Sequence, residues 1–202
     1  MPNSNRPSGF TPHSYLNGAP WNGQGRVYCI PAAATTAFYV GDPVISGGSA
    51  DTFGTPTIAL GAVTGGLRGV IVGIGASPTV LGNPGNVDII YRPSGAQPKD
   101  MYALVVDDPN VLFEIQEASG AAQTAATDIG LNTQAVAAAG NGFISGWTLA
   151  SVTAFTPVVT ATIQLRLMGL DRVVGNGFGA YAKHIVKINV HELGTGTGAL
   201  GV

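Results

Sequence analysis

In two stretches of this chain, apolar and polar residues alternate with a period of two. In Leu112-Phe113-Glu114-Ile115-Gln116-Glu117, Phe113 and Ile115 share one face while Glu114 and Gln116 share the other. From Ile185 onward, Ile185, Lys187, Asn189 and His191 oppose Val186, Ile188, Val190 and Glu192. Successive side chains of a strand point to opposite faces, so this pattern predicts half-buried strands at a sheet edge or barrel wall. Further short runs rich in Val, Ile and Tyr extend the set. Together they predict strands over 26–30, 37–45, 69–75, 87–91, 101–106, 112–116, 160–169 and 184–192. Turn signals stand between them: Gly-Asp-Pro at 41–43, Ser-Gly-Gly-Ser at 46–49, Asn-Pro-Gly at 83–85 and Asp-Asp-Pro-Asn at 107–110. Each supplies a fixed proline φ or a residue that tolerates positive φ. The alanine-rich stretch 121–139 offers one or two helical turns at most, and Gly130 and its threonines favour a loop. About eight strands with little helix predict an all-β fold, a turn-rich β-barrel or sandwich.

Two regions fall outside this rhythm. Residues 1–25 are Asn, Ser, Gly and Pro with isolated Phe10, Tyr15, Leu16 and Trp21, and show neither helical nor strand periodicity. Two readings stay open for them: a frayed terminus, or an extended arm whose aromatic residues dock on a neighbour. Residues 118–159 form a long Gly/Ala/Ser-rich connection carrying Trp147 and Phe155. From Ala118 to Thr162 the only charged side chain is Asp128. Long ordered connections usually serve function. The expected organisation is an arm over 1–25, a single β domain over 26–193 and a flexible Gly/Thr tail over 194–202.

Composition turns attention from chemistry to association. Only 10% of residues are charged and 45% are apolar, against roughly a quarter charged in an ordinary soluble domain. So few charges leave little to keep bare faces apart, which points to a subunit of an assembly. Net charge is −2, and the nine basic residues are scattered from Arg6 to Lys187. No basic stripe is available to neutralise a row of phosphates, which argues against direct nucleic-acid binding. The single Cys29 has no internal disulfide partner and reads as a small buried residue, consistent with assembly in a reducing compartment. The N-terminus lacks a signal-type apolar segment, and the longest apolar stretch, near 67–76, is too short for a bilayer.

Candidate chemistry is sparse. Gly196-Thr-Gly198-Ala-Leu-Gly201 matches a dinucleotide fingerprint, but a helix and a later acidic residue are required and the sequence stops at Val202. No cofactor is expected. His184 and His191 are an odd number apart and would face opposite ways on one strand, and His13 lies in the arm, so no metal site is expected. Asp107-Asp108-Pro109-Asn110 could lend oxygens to calcium, but reads better as a turn nucleated by side-chain caps. Glu114 and Glu117 fall on opposite strand faces, which separates them as paired carboxylates. No nucleophile elbow occurs. The reading is therefore of a protein that is not an enzyme.

Several phrases resemble, in this order, those of a family of tailed-bacteriophage structural proteins. They are GFTP at 9–12, LNGAPWNG at 16–23, FYVGDPV at 38–44, VVDDPNVLFEIQE at 105–117, IGLN at 129–132, ATIQLRLMGL at 161–170 and AKHIVKINVHEL at 182–193. The resemblance covers nearly the whole chain and implies a head decoration (cement) or minor capsid protein on the outer face of an icosahedral shell, made in the host bacterial cytoplasm. It implies as partners the major capsid protein and other copies of the chain, a trimer suiting three-fold positions by analogy, with no membrane and no nucleic acid. A head-to-tail connector or tail component would share this composition. A virion-surface carbohydrate-binding barrel would need an exposed aromatic platform, for which Trp147 is the nucleus. Residues expected at interfaces are Phe10, Tyr15, Leu16, Trp21, Trp147 and Phe155, within segments 1–25 and 118–159, with Trp21 the leading anchor.

Overall fold

The computed structural model describes residues 3–77 and 91–194. Among them are fourteen strands, β1 to β14, and one three-residue 3-10 turn, Ala126–Asp128, so the chain is all-β as its pattern predicts. Five strands make an open antiparallel sheet: β1 (Thr11–Tyr15), β9 (Val111–Gln116), β14 (Lys183–Ile188), β13 (Leu165–Leu170) and β10 (Asn132–Thr133), in that spatial order. Five others close into a small barrel: β2 (Arg26–Ile30), β5 (Pro56–Leu60), β4 (Pro43–Ala50), β6 (Gly69–Gly75) and β8 (Met101–Val106). The closure is narrow, since β2 meets β5 through one parallel pair, Cys29 with Thr57. Two ribbons complete the set: β3 (Phe38–Tyr39) with β7 (Tyr91–Arg92), and β11 (Ala135–Val136) with β12 (Thr148–Leu149).

The alternation read from sequence holds over 111–115 and Lys183–Ile188 and fails beyond them, where Gln116 and His191 are buried. In β9, Val111, Phe113 and Ile115 point inward; in β14, His184, Val186 and Ile188 do, leaving Ile185 and Lys187 outside. The barrel side has its own core of Tyr28, Ile30, Phe38, Val44, Ile58, Ile71, Ile74, Ala103 and Val105. The sheet's core takes Phe113, Trp147, Leu149, Leu165 and Val186, and also Val70 and Val106 from the barrel and Leu67 from the approach to β6, so the two units share an apolar seam. Fully burying each such Val, Leu, Ile or Phe is worth about 1.5–3 kcal/mol, the main favourable term in a chain with one buried, unpaired cysteine. Main-chain bonds fasten the seam: the Leu67 N–H donates to Val190 O and the Glu192 N–H to Leu67 O, both at 2.9 Å.

Several boundaries differ from the sequence reading. The strand expected over 37–45 is two strands in different sheets, because Gly41 (φ +92) turns the chain between β3 and β4. The strand expected over 160–169 begins only at Leu165, and that over 184–192 ends at Ile188. Of 87–91, all but Tyr91 lies outside the described residues, as do the turn at 83–85 and the glycine motif at 196–201. Residues 11–15 form a strand despite lacking a visible period. A bulge between Pro12 and Ser14 interrupts the alternation, and Pro12 is tolerated because β1 is an edge strand.

Candidate functional site

The N-terminal arm is threaded into the body. The Phe10 N–H donates to Gly41 O at 2.9 Å, and its ring, 1% exposed, meets Phe113 edge-on with centroids 6.2 Å apart. This crossing depends on glycine: Gly9 has φ +68, and a Cβ on Gly41 would lie 2.2 Å from the Ser8 carbonyl oxygen. Beyond it, β1 pairs along β9, and Tyr15 and Trp21 lean on the sheet's core. The Tyr15 hydroxyl donates to Asn22 Oδ1 at 2.9 Å, and Trp21 Nε1–H to Gln24 O at 3.2 Å. Of the six residues expected at interfaces, Phe10 and Trp147 are core residues, Trp147 at 2% exposure. Neither has surface to offer a neighbour or a sugar, which corrects that expectation. Tyr15, Trp21 and Phe155 are half-buried, and only Leu16 is exposed.

The large exposed apolar side chains are mostly elsewhere: Phe53 at 86%, Phe143 at 61%, Val174 at 101%, with Phe178 and Val159 behind them. Two sit on turns of the same construction. Asp51 Oδ1 accepts the Phe53 N–H at 2.8 Å, and Asn141 Oδ1 accepts the Phe143 N–H at 3.0 Å. Each is an Asx turn that holds its phenylalanine outward. The motifs D-x-F-G and N-G-F were available in the sequence as signals, but turn residues are read as punctuation, and the apolar residue inside them is passed over.

The outer face of the five-stranded sheet carries a shallow groove of about 590 Å³ lined by His13, Leu16, Leu112, Met168, Leu170, Asp171, Arg172 and Ile185, among others. Charges on and beside it are partly paired. Lys183 Nζ meets Glu114 Oε1 at 2.7 Å and His13 Nε2 lies 3.9 Å from Asp171. Burial, and then the neighbouring Asp171 carboxyl, raise Glu114 above the usual carboxylate range, against the pull of Lys183. A second cleft, of about 740 Å³, lies between the arm and the barrel, lined by residues including Tyr15, Arg26, Leu104, Asp107 and Asp108.

The buried polar groups are structural ties. Glu117 and His184, both wholly buried, meet at 3.0 Å. Glu117 Oε1 also accepts the Thr124 N–H at 2.8 Å and its hydroxyl at 3.0 Å, pinning the start of the 118–159 connection to the sheet. Tyr28 donates its hydroxyl to Asp107 at 2.7 Å; burial and that carboxylate push the phenol up to about 12. Asp108 Oδ1 accepts the Asn110 N–H at 2.8 Å, so 107–110 is the side-chain-capped turn its sequence suggests. His191 is buried, pushed down to about 4 by burial, and accepts the Leu193 N–H at Nδ1. His184 and His191 do not share one strand, because β14 ends at Ile188; both are buried. Among the described residues no group of three or more His, Cys, Asp or Glu converges as a metal site would require.

Arg92 is 0% exposed and donates to the carbonyls of Thr36 (2.8 Å), Pro93, Pro31, Ala32 and Ala34 (2.6 Å). It holds the loop over 31–36 in place of secondary structure. Compared with models of protein families, curated proteins and solved structures, the chain matches none.

Proposed function

We propose that this chain is a structural subunit of a tailed-bacteriophage particle, seated on the outer surface of the capsid and reinforcing contacts between major capsid subunits. The observation that carries the reading is the display of large apolar side chains on ordered, hydrogen-bonded turns, Phe53 and Phe143 above all, in a chain with 10% charged residues. Held on preformed turns, these phenylalanines are available to an interface as anchors at little further entropic cost. The order of family-like phrases along the sequence supports the particular assembly. Cementing a shell needs contact and no chemistry. An interface of about 1,600 Å² is specific, and many symmetric copies multiply it by effective concentration.

The experiment is quantitation of the chain on purified particles together with a map of the intact virion. On the order of hundreds of copies on the outer shell supports the reading; about a dozen or fewer at one vertex would assign a connector instead. A soluble monomer absent from intact virions would end it.

A further inference from the structure

We propose that copies of this chain associate head to tail, the Phe53 tip of one seating in the groove between Leu16 and Met168 of the next. This goes beyond attachment to a shell and does not depend on it.

The tip is built rather than merely exposed. Asp51 Oδ1 accepts the N–H groups of Phe53 and Thr55, each at 2.8 Å, and Tyr102 donates its hydroxyl to Asp51 Oδ2 at 2.9 Å. The Asp51 N–H donates to Thr55 O at 2.9 Å and the Gly54 N–H to Asp51 O at 3.1 Å, with Gly54 at φ +84. Five hydrogen bonds therefore fix a turn at the end of the β4–β5 hairpin, and the one large side chain they present is Phe53, 86% exposed. A preorganised aromatic loses little further entropy on docking, which makes it an efficient anchor.

The groove fits this knob in shape and in charge. Its floor and walls include Leu112, Ile185, Leu170, Met168 (37% exposed) and Leu16 (48% exposed), around a space of about 590 Å³. That is ample for one phenylalanine ring with part of its turn. Asp51 is the only charged residue between Pro43 and Leu67, so the hairpin is singly negative. Of the charged residues lining the groove, Asp171 lies 3.9 Å from His13 and Arg172 has no ion pair among the described residues; beside it on the same sheet, Glu114 is paired with Lys183, and Lys187, opposite Leu112, has no ion pair either. The sheet face is left net positive, the complement of the tip. Knob and groove are different surfaces, so the contact is heterologous and leads to rings or open chains rather than a two-fold dimer.

Complementation tests this with the full chain. Sedimentation velocity over a wide concentration range should show wild-type self-association. Phe53→Ser (groove intact) and Met168→Lys (knob intact) should each weaken it about 30-fold or more, whereas Val159→Ser, at an exposed apolar residue outside both surfaces, leaves it unchanged. Mixing F53S with M168K should restore one contact and give a heterodimer that grows no further. Circular dichroism and denaturation midpoints confirm that each variant is folded; Asp51→Asn, which keeps the turn acceptor and removes the charge, gives a second readout as a weakened, less salt-sensitive association. A wild type that stays monomeric throughout, an F53S that associates normally, or a mixture that forms no heterodimer overturns the proposal. Loss of particle binding by F53S without loss of self-association would assign the tip to a coat subunit and overturn it equally. Self-association in a chain absent from particles would leave this inference standing while the capsid reading falls.

Discussion

Asp42 stands at the crossing of the arm and the β3–β4 turn, 2% exposed, accepting the Tyr39 N–H at 2.9 Å, with the Ser145 hydroxyl near enough to favour its charged form. Burial pushes its carboxyl up to about 6 from an ordinary 3.8, and the Ser145 and Tyr39 donors only partly restrain it. The folded state therefore holds the proton more tightly than the unfolded chain. Its contribution to stability is most favourable below pH 3.8, declines as pH rises to about 6, and is fully lost above that. The rise from 3.8 to about 6 corresponds to about 3 kcal/mol. Asp42→Asn removes the charge, keeps one oxygen for Tyr39 and can donate to Ser145 Oγ. At pH 7.5 the variant should be more stable by up to about 3 kcal/mol, or several degrees in Tm for a chain of this size. Below pH 3.8 the two proteins should coincide. Urea unfolding of both at half-unit steps from pH 3.5 to 8 measures the difference directly, because every other titrating group cancels. A difference that stays flat across that range, or a wild type that gains on the variant as pH rises, would refute the argument.

Substitutions at three internal ties, Arg92, Gly41 and Glu117, are read by chemical denaturation. Arg92→Met should cost about 3–5 kcal/mol, because it strands several buried carbonyls of the 31–36 loop, and Arg92→Lys should recover only part of this, lacking the planar fork. Gly41→Ala should cost about 3 kcal/mol or more, combining positive-φ strain with a clash at Ser8; Gly48→Ala, also at positive φ but with open space around it, should cost about 1 kcal/mol. Glu117→Ala leaves His184 and both Thr124 donors unpaired in the interior and should cost about 3–5 kcal/mol. Its first new site of limited proteolysis should fall within 118–125; cleavage elsewhere first would argue that Glu117 does not hold this segment.

What the sequence made legible was set by how regular each element is. Strands β2, β6 and β8 coincide with the predicted spans because each is a compact apolar run ended by a turn residue. The face alternation of β9 and β14 was readable for the same reason. Strands of two residues, β10 to β12, are too short to show any period, and β5 opens on Pro56, which normally argues against a strand. Partition of 37–45 between two sheets hinges on one glycine conformation, and its cause, the approach of Ser8, is remote in sequence. The candidate surface was less legible than the fold. Aromatic identity pointed to Phe10 and Trp147, which the core consumes, while Phe53 and Phe143 were hidden in turns. Exposure depends on what packs above a residue, and that is set by pairings such as β1 with β9 that no local pattern announces.

That pairing also determines how the arm can be used. An arm docked on a neighbour through Phe10 would leave its own chain with a hole beside Phe113, and emptying a buried phenylalanine site costs about 3–5 kcal/mol. Removing 2–22 would delete β1 and Phe10 together, so loss of particle binding would report unfolding as readily as a lost contact. Removing residues 2–7 stops short of the Gly9–Gly41 crossing; it takes away Asn3, which bonds Gly177 and Ala180, and Arg6, whose N–H donates to Gln116. Asn3 therefore anchors the loop over 171–182, where Val174 and Phe178 are exposed. The shorter truncation should cost no more than about 2 kcal/mol in denaturant unfolding while loosening that loop to protease. A loss as large as that of a Phe10→Ala variant would show that the first residues are as integral to the core as Phe10, and would remove the distinction between anchor and body.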